Sequence, residues 1–135
     1  METPIKIKII VGSTRQGRFS ERPAQWIFEQ VKNVEGVKAE IVDLRDYPMP
    51  FFEESISPSM KKEPYKNPIV QKWTSKVAEG DAYIIVTPEY NHGYPGVLKN
   101  PELIAERKKC FLAVDPETFH GACEALSTRS GRAHV

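Results

Sequence analysis

Apolar and polar positions alternate between two rhythms along this chain. Ile5, Ile7, Ile9, Ile10 and Val11 form a β-branched run that stops at Gly12, the pattern of a buried parallel strand. From Ser20 the period lengthens. Ala24, Ile27, Phe28 and Val31 recur at helical spacing, which predicts an apolar stripe ending near Gly36. Val37, Ala39, Ile41 and Leu44 then alternate with Lys38, Glu40 and Asp43, a second strand. Val70, Trp73, Thr74 and Val77 restore the helical period, with Gly80 as its stop, and Ala82 to Thr87 form a third strand.

Between the second strand and second helix the pattern lapses. "RDYPMPFFEESISPSMKKEPYKNP" carries Pro48, Pro50, Pro58, Pro64 and Pro68, each removing a donor and biasing its predecessor away from helix. A long irregular loop follows, of the kind that is functional or mobile in a compact domain. The order strand, helix, strand, helix, strand implies parallel pairing through right-handed crossovers, hence an α/β fold. Ligands of such sheets sit beyond the carboxyl ends of the strands, at the switch point between the first and third. Two unusual loops, after Val11 and after Thr87, are expected to emerge there together.

Length and composition narrow the class. A chain of 135 residues predicts one domain, 1–135; apolar residues are 40% and charged residues 27%, a globular balance. Nineteen basic against eighteen acidic residues leave a net charge of +1, which gives no reason to expect nucleic acid. No signal peptide or membrane span is expected. Cys110 and Cys123 suggest neither a disulfide framework nor, with the histidines, a zinc site. A reducing, cytoplasmic setting is the expectation.

The first loop reads "GSTRQGRFS". Gly12 and Gly17 permit positive φ and close approach of a ligand. Ser13, Thr14 and Ser20 offer hydroxyls, and Arg15 offers a fork suited to phosphate oxygens. Ser20 at the helix N-cap adds free amides and the positive end of the helix dipole. These features predict an anion pocket; the same residues also suit a plain strand-to-helix turn. The nucleoside-triphosphate loop GxxxxGK[ST] is excluded, since Arg18 and Phe19 replace its lysine and its metal-binding hydroxyl. The dinucleotide pattern GxGxxG fails at Thr14. A terminal monophosphate remains. In the second loop, "PEYNHGYPGVLKN", Tyr90 and Tyr94 supply flat apolar faces, and Glu89 and Asn91 supply polar groups for a planar heterocycle.

At these residues the chain resembles the NADPH-dependent FMN reductase family, which includes quinone, azo-dye and chromate reductases. "GSTRQGRFS" is similar to its phosphate loop, "PEYNHGYPGVLKN" to its PEYN…P…LKN signature, and "DLRDYPMPFF" lies between them as in family members. The resemblance covers Ile5 to Asn100, roughly three quarters of the chain. It implies a flavodoxin-like three-layer sandwich with a parallel sheet. It further implies FMN as cofactor, with NADPH or NADH as hydride donor to flavin N5 and a small quinone-like or flavin molecule as acceptor. Ser13, Arg15, Gly17 and Ser20 would hold the FMN phosphate, and Pro88, Glu89, Tyr90 and Asn91 would border the ring. No catalytic acid or base is required, because the cofactor carries the chemistry. A homo-oligomer, dimer or tetramer, is also implied.

After Asn100 the likeness stops. Pro101 argues against continuing a helix, so "PELIAERKK" is expected to restart one with proline in its first turn. Cys110 to Val114 is expected as a fourth strand. The family's glycine-rich loop and fifth strand are not recognisable in 101–135, which reads as a divergent, truncated or frame-shifted tail. One alternative is therefore a non-catalytic isoform acting through oligomerisation. A remote one is a cysteine phosphatase, because "CEALSTRS" places Cys123 and Arg129 in the C-x₅-R-[ST] pattern.

Overall fold

The structure, a computed structural model, describes residues 3–105 and 110–114. Four parallel strands run in the spatial order β2-β1-β3-β4, with β1 at Ile5–Val11, β2 at Val37–Asp43, β3 at Ala82–Val86 and β4 at Cys110–Val114. Three helices connect them: α1 at Glu21–Val31, α2 at Pro68–Ala78 and α3 at Gly96–Ile104. The expected α/β arrangement with a parallel sheet is borne out, and so is the strand at Cys110.

Strand β1 is central because both its faces are covered. Ile9 and Val11 pack with Ala24 and Ile27 of α1 on one face, and Ile10 packs with Val70, Trp73 and Leu98 of α2 and α3 on the other. The period of two along the strand thus sorts its side chains into two cores. Helix α1 carries Pro23 in its first turn, where the missing N–H costs nothing. Helix α2 is capped by Asn67, whose Oδ1 accepts from the amides of Ile69 and Val70 at 2.9 and 3.3 Å, with Pro68 at its first position. Trp73 is 2% exposed, edge-on to Tyr47 with ring centroids 5.3 Å apart. Trp26, by contrast, is 41% exposed.

Toward the end of the sheet away from the loops, Lys8 is 5% exposed and pairs with Glu40 and with Glu79, 2.8 Å away. Lys76 bonds the same two carboxylates at 3.1 and 3.0 Å. Four charges thereby stitch β1, β2 and the end of α2. Burial opposes the Lys8 charge, but its carboxylate hydrogen bonds outweigh that and raise its pKa. The bonds from Lys8 and Lys76 hold Glu79 down at about 2.

Several boundaries differ from expectation. β2 stops at Asp43, whose carboxylate accepts from the Arg45 amide and turns Leu44–Asp46 into a short 3₁₀ turn. The long loop is otherwise irregular, as predicted, apart from a second such turn at Pro58–Met60. Pro101 does not restart a helix. α3 begins at Gly96, after Pro95, and runs through Pro101. Pro101 is buried, and its carbonyl accepts from the Trp73 indole at 3.1 Å and from the Ala105 amide at 3.0 Å. The expectations about the tail beyond Val114, including Cys123 and Arg129, lie outside the described residues.

Candidate functional site

Loop 1, residues 12–20, leaves β1 at the carboxyl edge of the sheet; loop 3, residues 87–95, leaves neighbouring β3 at the same edge. A side-chain hydrogen bond links them. The Ser13 and Tyr90 hydroxyls share a hydrogen bond of 3.2 Å. Ser13 is 1% exposed and also accepts from the Arg15 amide at 3.3 Å.

Gly12 plays a different part from the one its sequence suggests. It has no positive φ, and an added Cβ would stand 2.8 Å from the Val86 carbonyl oxygen and 3.1 Å from a Leu98 methyl. Its missing side chain lets loop 1 lie against the end of β3 and α3, where its amide donates to Val86 at 2.7 Å. The close approach is to protein. Gly17 does adopt positive φ, +67°, with open space beside it. Ser20 is buried at the α1 N-cap, as expected; its backbone is helical and its hydroxyl caps no amide.

The two loop arginines part company. Arg15 is exposed, and its guanidinium has no partner among the described residues. Arg18 is 8% exposed and forks onto both oxygens of Asp43, reaches Glu21 at 3.0 Å, and donates to the Ser13 carbonyl at 2.6 Å. The Asp43 hydrogen bonds raise the Arg18 pKa despite burial, and those same bonds hold the Asp43 carboxyl below its usual range. Sequence reasoning passed over Arg18 as a misfit of the triphosphate loop. The signals were Glu21 three residues on and an aspartate closing the neighbouring strand.

Loop 3 turns tightly. Asn91 and His92 both take left-handed φ, +51° and +63°, and Tyr90 and Gly93 exchange backbone bonds of 2.7 and 3.2 Å across them. Asn and His tolerate this region better than most residues. Glu89, Tyr90 and Asn91 are exposed, Pro88 is half-buried, and His92 Nδ1 stands 3.5 Å from a Glu89 oxygen. Beside loop 1 a cavity of about 460 Å³ lies between the loop after β2 and the start of α3. Thr14, Tyr47, Met49, Phe51, Val97 and Asn100 line it. Its size falls in the small-ligand range. None of the eight residues expected to hold cofactor lines this cavity; Thr14 does.

Asn100 shapes that wall. Its Oδ1 accepts from the Phe52 amide at 2.8 Å and its Nδ2 donates to the Pro50 carbonyl at 2.9 Å, pinning the proline-rich loop to α3. Among the described residues there is no cluster of metal-ligating side chains and no helix long and apolar enough to cross a membrane.

The structural elements therefore bring Ser13 and Tyr90 together and leave Arg15 facing solvent from the same rim. Residues 5–101 match the family model described as NADPH-dependent FMN reductase. Over 95 residues the chain is 39% identical to an NAD(P)H-dependent FMN reductase of Schizosaccharomyces pombe, covering 70% of this chain and 48% of that protein. Over 105 residues it is 31% identical to one of Saccharomyces cerevisiae, covering 71% and 55%. The chain thus spans about half the length of the curated relatives it matches. Among solved structures, the flavoenzyme NAD(P)H:(acceptor) oxidoreductase FerB of Paracoccus denitrificans superposes with a TM-score of 0.59 at 18% identity, covering 82% of this chain and 60% of that one. An apo NADH:FMN oxidoreductase gives 0.59 at 18%, covering 90% and 65%. These likenesses show the fold.

Proposed function

Because the chain belongs to the NADPH-dependent FMN reductase family, we propose that it binds FMN where loops 1 and 3 meet. There it serves transfer of reducing equivalents from NADPH or NADH to a small quinone-like or flavin acceptor. The carrying observation is the 3.2 Å bond between Ser13 and Tyr90, which holds the phosphate-type loop and the ring-type loop at one rim.

FMN, when bound, supplies the redox chemistry. The residues fit its phosphate end. Among the described residues, Arg15 offers a guanidinium without a partner, Gly17 an open backbone in left-handed conformation, and Thr14 and Gln16 amides without a partner. Ser13 and Ser20 are buried hydroxyls of the same loop. Pro88, Glu89, Tyr90 and Asn91 border the ring in this reading, on a loop turned tightly at Asn91 and His92. Assembly into a dimer or tetramer belongs to the same reading, supported by Phe51 and Met60, 78% and 73% exposed on the long loop. A cytoplasmic setting is supported by a cysteine count that offers no disulfide framework.

An absorbance spectrum of the purified chain with added FMN tests the proposal, with mass measured on the same sample. Retained flavin absorbance that bleaches on adding NADPH or NADH supports it. Retained flavin without bleaching indicates binding without turnover, and a colourless protein indifferent to FMN ends the flavin reading.

A further inference from the structure

Loop 1 holds more positive charge than it presents. Arg18 spends its guanidinium on Asp43, Glu21 and the Ser13 carbonyl, the last at 2.6 Å. Arg45 donates to Glu21 at 3.1 Å and to the Arg15 carbonyl at 2.7 Å, while its own amide donates to Asp43 at 2.9 Å. Two guanidiniums and two carboxylates cancel, so this cluster adds little net field for an anion. Its effect on the loop is geometric: it grips two carbonyls.

A trans peptide sets its C=O and N–H in opposite directions. With the Ser13 carbonyl drawn to the Arg18 side chain, and the Arg15 carbonyl drawn to Arg45 and to the Arg18 backbone amide at 3.2 Å, the amides of Thr14 and Gln16 point away from the cluster. Neither amide has a hydrogen-bond partner among the described residues. Backbone N–H groups turned outward from one short loop make an anion-binding concavity. Arg15 sits between them, exposed.

We propose that Arg18 and Arg45 are positioning residues that aim the Thr14 and Gln16 amides at the phosphate of a mononucleotide by holding the carbonyls of Ser13 and Arg15. The identity of that mononucleotide rests on the FMN reading above. Arg18 is no phosphate ligand itself, because its donors are committed and it is buried. Arg45, 39% exposed in its side chain, acts through the Arg15 carbonyl, to which it donates at 2.7 Å.

The full chain, Arg45→Ala and Arg18→Gln are each titrated with FMN and with riboflavin, which lacks the phosphate. In both variants FMN affinity falls about tenfold, the scale of a lost charge-assisted hydrogen bond, while riboflavin affinity moves less than about twofold. Equal losses for the two ligands, or no loss for either, overturn the proposal, since a merely structural role does not discriminate them. If Arg18→Gln fails to fold, the surface variant Arg45→Ala decides. Amide NMR of the unchanged chain separates the two readings. If inorganic phosphate shifts Thr14 and Gln16 while FMN does not bind, the cradle stands and the flavin reading falls. If FMN binds and both amides stay silent, the cradle falls alone.

Discussion

The hydroxyls of Ser13 and Tyr90, 77 positions apart in the chain, lie 3.2 Å from each other and form the side-chain bond that joins loop 1 to loop 3. Tyr90→Phe removes it without removing the ring. Thermal unfolding is expected to show a loss of about 0.5–1.5 kcal/mol, the net worth of one hydrogen bond. An unchanged unfolding midpoint would mean that the pair does not tie the loops.

Arg15 offers a guanidinium with no partner among the described residues. Arg15→Ala is expected to cost little stability and to weaken FMN binding by roughly 1.5–3 kcal/mol. Fluorescence titration reads the second quantity. FMN affinity equal to that of the parent chain would remove Arg15 from the site.

Gly12 has no room for a methyl group, because the nearest obstacle is the Val86 backbone oxygen at 2.8 Å rather than a side-chain end. Gly12→Ala should therefore destabilise by about 1–3 kcal/mol through overpacking. Gly17→Ala meets no neighbour but is strained by its positive φ, so both lose stability for different reasons. Chemical denaturation of the two variants, with their crystal structures, separates a pushed strand from a strained turn.

Asn100 holds Phe52 and Pro50 with both ends of its amide. Asn100→Ala leaves two backbone groups to find water, at a cost of about 1–3 kcal/mol. The loop beside the 460 Å³ cavity should then exchange its amide hydrogens faster than in the parent, starting at Phe52. Unaltered exchange there would show that the loop is held by other contacts.

Acid should weaken the fold through carboxylates held low by cations, among them Glu79, Glu40 and Asp43. Glu79 is held at about 2 against an ordinary value of 4.5, chiefly by Lys8. Glu40 is lowered chiefly by Lys8, and Asp43 chiefly by Arg18. A group depressed in the folded state binds more protons when unfolded, so its stabilisation is complete above the unfolded value and is lost as pH falls toward the folded one. Urea denaturation from about pH 5 down to about pH 2 should show declining stability, with a shallower slope in Glu79→Gln. A flat profile in the parent would refute the network.

Local rhythm made most of the architecture readable. The β-branched run from Ile5, the helical spacing of Ala24, Ile27 and Val31, and the alternation from Val37 each report a repeat that the backbone imposes on neighbouring residues. Loops 1 and 3 were legible as a pair because parallel topology sends both to one rim. Other features depend on partners far along the chain, which no local period encodes. Arg18 reads as a misplaced lysine until Asp43, 25 positions on, is folded beside it. Gly12 reads as a ligand contact until β3 and α3 fill the space where its side chain would stand. Pro101 reads as a helix start until Trp73 meets its carbonyl from α2. Propensity and spacing act within a few residues, whereas burial and hydrogen-bond partnership are settled when distant segments close on one another.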